Sequence, residues 1–130
     1  MRIVNRSRGT LLGTRIQLAD TWFSRLRGFL FRPAPRLGEG ILLTPCDAIH
    51  TWGMSFDLDV LFLDARGDVV AVQESLPPGR VTPRVATSRY VLEIPSGTIA
   101  ATGTRVGDRC NWSRDHNGAP HNLRPLQGAS

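Results

Sequence analysis

Residues 58–64, Leu-Asp-Val-Leu-Phe-Leu-Asp, give the strongest strand signal in the chain. Apolar residues occupy both sets of alternating positions, so a strand formed here is apolar on both faces. We therefore predict a central strand that is covered on both sides. A tight turn at Ala65–Asp68 and a second β-type run at Val69–Gln73 follow, which predicts an antiparallel hairpin.

Short apolar runs separated by glycine and proline continue on both sides of this hairpin and predict further strands. These are Ile3–Val4, Arg15–Leu18, Gly40–Thr44, Arg89–Ile94, Thr98–Ala101 and Arg109–Trp112. We expect the first two to pair with each other across a link that contains Gly9 and Gly13. Residues 46–54 fit another strand, broken at Gly53, with His50, Trp52 and Met54 on one face.

One helix is predicted, at about residues 21–31, where Trp22, Leu26, Phe29 and Leu30 follow the spacing of one helical face. Asp20 or Thr21 suits its N-cap, and Pro33 and Pro35 end it. The fold class is therefore mainly β, a compact sandwich or barrel of short, mostly antiparallel strands with one N-terminal helix. The length of 130 residues suits one domain, predicted at 1–112, and the polar, aperiodic residues 113–130 are predicted to be a flexible tail.

The chain carries a net charge of +5, and all 16 of its basic residues are arginine. These arginines are scattered and form no block of like charges, which argues against a nucleic-acid site and favours a solvated basic surface. No apolar run reaches the roughly 18 residues of a membrane span. The N-terminus lacks the apolar core of a signal peptide, so we expect a cytoplasmic protein in which Cys46 and Cys110 are reduced.

The densest group of chemically active side chains is Cys46 and His50, followed by Asp57 and Asp59. A thiolate with an imidazole base suits acyl transfer, and two neighbouring carboxyl groups suit general acid–base work. The chain has no paired Cys or His spacing typical of zinc, so we predict no metal site and no cofactor. Nucleotide-binding and hydrolase motifs are also missing from the sequence.

Glu93 stands alone as an acid between Leu92 and Ile94 in a predicted strand. Neither local folding nor the apolar pattern of the strand requires an acid there. Its side chain points either into the fold or outward to water, and the sequence leaves both open. A residue type that the fold does not need is a candidate for function.

Seven short motifs follow one another along the chain. They are Arg-x-x-Gly-Phe-Leu (25–30), Cys-x-x-Ile-His-Thr-x-x-Met (46–54), Asp-Val-x-Phe-Leu-Asp (59–64), Gly-x-Val-Val (67–70), Leu-x-Pro-x-Arg (76–80), Val-Leu-Glu-x-x-x-Gly (91–97) and Gly-x-x-x-Gly-Asp (103–108). This ordered succession resembles the family of domain of unknown function 192, also called UPF0127. The resemblance implies a compact mainly-β domain with one helix and implies no established activity. It departs at Gly79, where the family often has tryptophan, and in lacking the export segment of some members.

Three functions stay open at this point. The first is a non-enzymatic binding or accessory domain whose pocket is lined by His50, Trp52, Met54, Arg80 and Glu93, with a small anionic ligand or a protein as partner. We expect His50 and Glu93 on one side of the fold and Arg80 at the rim. The second is a small hydrolytic or metal-assisted enzyme that uses Cys46, His50 and Asp57 or Asp59. The third is an arginine-rich module for a protein partner or nucleic acid.

Overall fold

The structure, a computed structural model, describes residues 1–30 and 32–113. The predicted tail lies outside these residues except for Ser113, which ends the last strand. In chain order the elements are β1 (Arg2–Asn5), β2 (Thr10–Gly13), β3 (Arg15–Ala19), α1 (Trp22–Arg27), β4 (Glu39–Leu43), β5 (Leu58–Leu63), β6 (Val69–Leu76), β7 (Tyr90–Pro95), α2 (Thr98–Thr102) and β8 (Cys110–Ser113).

The strands form two open sheets, so the architecture is a sandwich rather than a closed barrel. The small sheet has the order β2-β1-β8, and the large sheet has the order β3-β4-β7-β5-β6. All pairs are antiparallel except β3 with β4. The strand β5 lies between β7 and β6, and all six of its residues are buried, which confirms the predicted central strand.

The predicted pairing of Ile3–Val4 with Arg15–Leu18 is wrong. The partner of β1 is β2, an additional strand at Thr10–Gly13, while β3 pairs with β4 in the large sheet. The chain changes sheets at Thr14, where the backbone N–H groups of Thr14 and Arg15 both donate to the carbonyl oxygen of Gly38. Gly13 thus ends a hairpin strand instead of serving as part of the turn.

Two other local predictions are corrected by the structure. Residues 98–102 form a short helix, not a strand, and residues 46–54 form a loop with one isolated bridge between His50 and Val81. Trp52 is 61% exposed whereas Met54 is buried, so the two do not share a face. The helix α1 ends earlier than predicted, because Gly28 turns the chain with a positive φ of 45°.

The large sheet has an apolar cluster on each face. Leu92 and Ile94 of β7 lie in the cluster shared with the small sheet. The alternate residue Val91 lies in the other cluster, together with Ile41 and Val60.

This second face is covered by residues from the loop after α1 and from the 46–56 segment, including Phe29, Ile49 and Met54. Side chains alternate along a strand, so Glu93 belongs to the second face as well.

Candidate functional site

Glu93 lies at the centre of the large sheet and is only 2% exposed. On β7 it pairs with Ile41 of β4 on one side and with Val60 of β5 on the other. Both neighbours belong to the apolar cluster on that face. The sequence therefore puts a carboxyl group in the middle of an apolar surface, where an aliphatic side chain would complete the core.

The carboxyl group of Glu93 is only partly satisfied by hydrogen bonds. It accepts the backbone N–H of Phe29, while its Oε1 atom is buried and has no partner among the described residues. Burial raises the pKa of Glu93 to about 8, against the opposing effects of the Phe29 hydrogen bond and the positive charge of Arg32. At neutral pH this side chain is therefore mostly an uncharged acid that has one O–H to donate.

Gly28 allows the chain to pass close over this carboxyl group. A Cβ atom at this position would lie 3.1 Å from Oε1 of Glu93, and φ is +45°. Arg32 follows in the same segment, and its guanidinium lies 5.4 Å from the centre of the Phe29 ring. Its Nη1 donates to the carbonyl oxygen of Gly28 at 3.4 Å. These contacts hold the end of α1 over the centre of the large sheet.

His50 is held by a second loop that is fixed by threonine side chains. The backbone N–H of Arg80 donates to Oγ1 of Thr51 at 2.8 Å, and Oγ1 of Thr51 donates to the carbonyl oxygen of Pro77 at 2.7 Å. The backbone N–H of Ile49 donates to Oγ1 of Thr82 at 3.0 Å. His50 lies between these anchors, and its buried Nδ1 has no partner among the described residues.

Glu93 and His50 line one cavity of about 320 Å³, which fits a small molecule. Met54 lines it too, so the structure brings together three of the five predicted site residues. Trp52 is an exposed neighbour, with its ring centre 5.7 Å from that of His50. Arg80 lines a separate groove beside Leu76 and Pro83 instead, and it contributes to the His50 loop through its backbone.

Sequence reasoning missed the cationic part of this cavity. Arg25, Arg27 and Gly28, from the end of α1, line it directly. In the sequence these residues appear only as a helical segment, because helical periodicity says nothing about which loop faces the helix end. The glycine within Arg-x-x-Gly-Phe-Leu was the available signal, since a glycine inside a helical pattern often marks a close approach or a helix end.

The family model DUF192, described as "Uncharacterized ACR", matches residues 3–112. The chain belongs to the DUF192 family. A UPF0127 protein of Pyrococcus abyssi is 31% identical over 116 residues, which cover 85% of this chain and 96% of that one. A UPF0127 protein of Thermococcus sibiricus is 28% identical over 115 residues, covering 85% and 73% of the two chains.

The sandwich of this DUF192 domain is also similar to a solved structure. A crystal structure of a protein of unknown function from Novosphingobium aromaticivorans superimposes with a TM-score of 0.74 at 23% identity. The match covers 85% of this chain and 82% of that one. At this identity the likeness concerns the fold.

Cys46 also lines the cavity of the DUF192 domain, but its surroundings favour the thiol over the thiolate. Its Sγ donates to the carbonyl oxygen of Ala48 at 3.3 Å. Burial is the main cause that raises the pKa of Cys46, and Glu93 and Asp47 add to it. Cys46 and Cys110 are both free. A reactive cysteine needs the opposite environment, one that lowers the pKa.

The two acids singled out in the sequence do not form a pair. Asp57 is exposed before β5, while Asp59 is fully buried within it. The carboxylate of Asp59 accepts the backbone N–H groups of Ser75, Gly97 and Ile99 at 2.8–3.1 Å. The oxygens of Asp59 are thus used to join β5, β6 and the start of α2.

Other arginines of the DUF192 domain form ion pairs with aspartates. Arg8, Arg84 and Arg109 lie 2.6–3.1 Å from Asp108, Asp47 and Asp68, respectively. Within residues 1–30 and 32–113, no three His, Cys, Asp or Glu side chains are grouped as metal ligands. No helix in this part of the chain is long and apolar enough to cross a membrane.

Proposed function

We propose that this domain is a non-enzymatic binding module that takes a small molecule into the cavity between Glu93, His50 and the end of α1. One observation carries the proposal. Two buried polar atoms, Oε1 of Glu93 and Nδ1 of His50, have no hydrogen-bond partner among the described residues, and both side chains line the same cavity. A ligand that offers a hydrogen-bonding group to these atoms removes the cost of burying them unpaired.

The incompletely paired carboxyl group of Glu93 lowers the stability of the fold, and this cost argues for a functional role. A buried carboxyl group that is incompletely hydrogen-bonded destabilises a core, and buried polar groups are as a rule paired. At position 93 a leucine or valine would pack between Ile41 and Val60 without this cost. Perturbed titratable groups inside a cavity are typical of functional sites.

Binding is favoured over catalysis by the state of the other groups. The Cys46 thiol is hydrogen-bonded to a carbonyl oxygen and is not activated. Asp59 holds backbone N–H groups, and Asp57 is exposed and does not line the cavity. A binding site needs only convergent polar groups in an apolar setting, and the cavity offers these in Glu93, His50 and Met54. Trp52, exposed next to His50, extends the proposed site at its rim.

The test is a titration of ¹⁵N-labelled protein with a set of small acids, amides, amines and sugars, followed by NMR. We expect at least one class to shift the amide signals of Phe29, Ile49 and Thr51, which report on the two loops around the cavity. The same shifts are expected in Arg80→Ala, because the Arg80 side chain lies outside the cavity. Shifts confined to residues 76–83, or no shifts with any class, would contradict the proposal.

A further inference from the structure

The charges around the cavity have one predominant sign. Arg25 and Arg27 line it from α1. Asp47 lines it as well, but its carboxylate is paired with the guanidinium of Arg84 at 2.7 Å. Glu93 is mostly uncharged at neutral pH. The cavity is therefore electropositive, which attracts an anion and disfavours a cation.

Part of the cavity wall is aliphatic. Leu30, Leu43 and Met54 line it beside the arginines, and Met54 and Leu43 belong to the apolar cluster under the loops. An inorganic anion would leave this apolar surface facing a strongly hydrated ion. An organic anion places its hydrocarbon part against the aliphatic walls and its charge toward the arginines.

We propose that the ligand is a small organic carboxylate, which accepts a hydrogen bond from the protonated carboxyl group of Glu93 while Arg25 and Arg27 balance its charge. This inference rests on the proposed binding function and names the ligand class of the same site. An O–H donor facing a carboxylate forms a short, charge-assisted hydrogen bond, which is stronger than a bond between neutral groups. His50 supplies a second polar contact through its unpartnered Nδ1.

The protonation of Glu93 makes this binding depend on pH. When Glu93 ionises, with its pKa of about 8, the donor is lost and two carboxylates face each other. The other charged or titratable groups around it are Arg25, Arg27, Arg32, Cys46, Asp47 and His50. Burial raises the pKa of the Cys46 thiol, which favours its uncharged form.

The experiment compares butyrate with its neutral analogue butyramide and with butylammonium, by NMR titration at pH 7.5 and 9.5. We expect butyrate to bind at pH 7.5 and to bind about twenty-five-fold more weakly at pH 9.5, following the protonated fraction of Glu93. Glu93→Gln keeps an uncharged donor of the same shape, so it should bind butyrate equally at both pH values. Glu93→Leu lacks a donor and should lose binding at both.

A charge-matched pair of variants tests the arginines. Arg27→Gln is expected to weaken butyrate binding severalfold, whereas Arg80→Gln, which removes the same charge outside the cavity, is expected to leave it unchanged. Circular dichroism checks that each variant is folded.

Each failure has a distinct meaning. Equal or tighter binding of butyramide or butylammonium in the cavity would overturn the carboxylate class and leave the binding function standing. The carboxylate class would also be overturned if the protein binds inorganic phosphate and does not bind butyrate. Butyrate binding to wild-type protein that does not change with pH would overturn the role of Glu93. If no compound shifts the NMR signals of residues around the cavity, the proposed binding function itself is wrong.

Discussion

Glu93 shows how one side chain combines a cost to stability with a candidate function. The sequence shows an acid between Leu92 and Ile94, but it does not show whether this side chain points into the fold or outward to water. The side chain points inward because position 93 shares the strand face of Val91, which packs under Phe29 and Ile49. Sequence alone could not decide this, because β5 shows that apolar residues can occupy both faces of these strands.

The buried acid gives a prediction on stability against pH. The pKa of Glu93 is raised from its ordinary value near 4.5 to about 8, so the folded state holds a proton that the unfolded state releases. Its contribution to the free energy of unfolding is complete below pH 4.5 and is lost as the pH rises to about 8, by about 1.4 kcal/mol per pH unit.

Glu93→Gln removes this titration and keeps the side-chain shape. We expect the stability difference between Glu93→Gln and wild type to grow in favour of the variant from pH 5 to pH 8. Urea unfolding at four pH values measures it, and all other titrating groups cancel in the comparison. A difference that stays constant with pH would show that Glu93 ionises normally in the fold.

Gly28 is the second residue whose identity the structure explains. Gly28→Ala forces a side chain to adopt φ of +45° and puts a methyl group 3.1 Å from Oε1 of Glu93. We expect a loss of about 3 kcal/mol in the free energy of unfolding. The control is Gly103→Ala at the end of α2, where φ is +69° and no atom lies within 4 Å, with an expected loss of about 1 kcal/mol. An equal loss in both would mean that contact with Glu93 adds nothing.

At the scale of elements, the local sequence pattern predicted those elements that depend only on residues close in sequence. The β5–β6 hairpin follows from two apolar strand-type runs and a turn at 65–68, and it is present. The helix α2 was not predicted, because Thr98 and Ile99 favour strands. The N–H groups at its start find their acceptor in Asp59, about 40 positions away in sequence. Partners this distant do not appear in a local pattern.

Asp59 is therefore predicted to be a structural residue that joins three elements. Asp59→Ala leaves the backbone N–H groups of Ser75, Gly97 and Ile99 without their acceptor, and we expect a loss of at least about 3 kcal/mol. The matched control Asp57→Ala changes an exposed acid two positions away and should stay within about 0.5 kcal/mol. Chemical denaturation measures both. A small loss for Asp59→Ala would show that water replaces the carboxylate.

At the scale of the whole molecule, the two apolar clusters share the large sheet, and one of them is covered by loops from distant parts of the chain. The candidate cavity is built from α1, the 46–54 loop and β7. The sequence predicted His50, Trp52, Met54, Arg80 and Glu93 as members, and three of these, His50, Met54 and Glu93, line the cavity. It could not predict that Arg25 and Arg27 would replace Arg80, because that depends on how two loops cross the same sheet face.

The C-terminal boundary of the domain can be tested by shortening the chain. The family match ends at residue 112, and the buried members of both clusters lie between Ile3 and Cys110. Residues 114–130 are predicted from their polar composition to be dispensable. A chain that ends after Ser113 is expected to melt within about 3 °C of the full chain.

The control is a chain that ends after Asp108. It also removes β8, which pairs with β1 from Arg2–Ser113 to Asn5–Cys110. Without β8, Ile3 loses its cross-strand neighbour and the small sheet keeps only the β1–β2 pair, which is too small to cover the apolar face of the large sheet. Calorimetry should therefore show no cooperative transition for the shorter chain. If the chain that ends after Ser113 melts more than about 5 °C below the full chain, residues 114–130 stabilise the domain, and the boundary predicted at residues 112–113 is wrong.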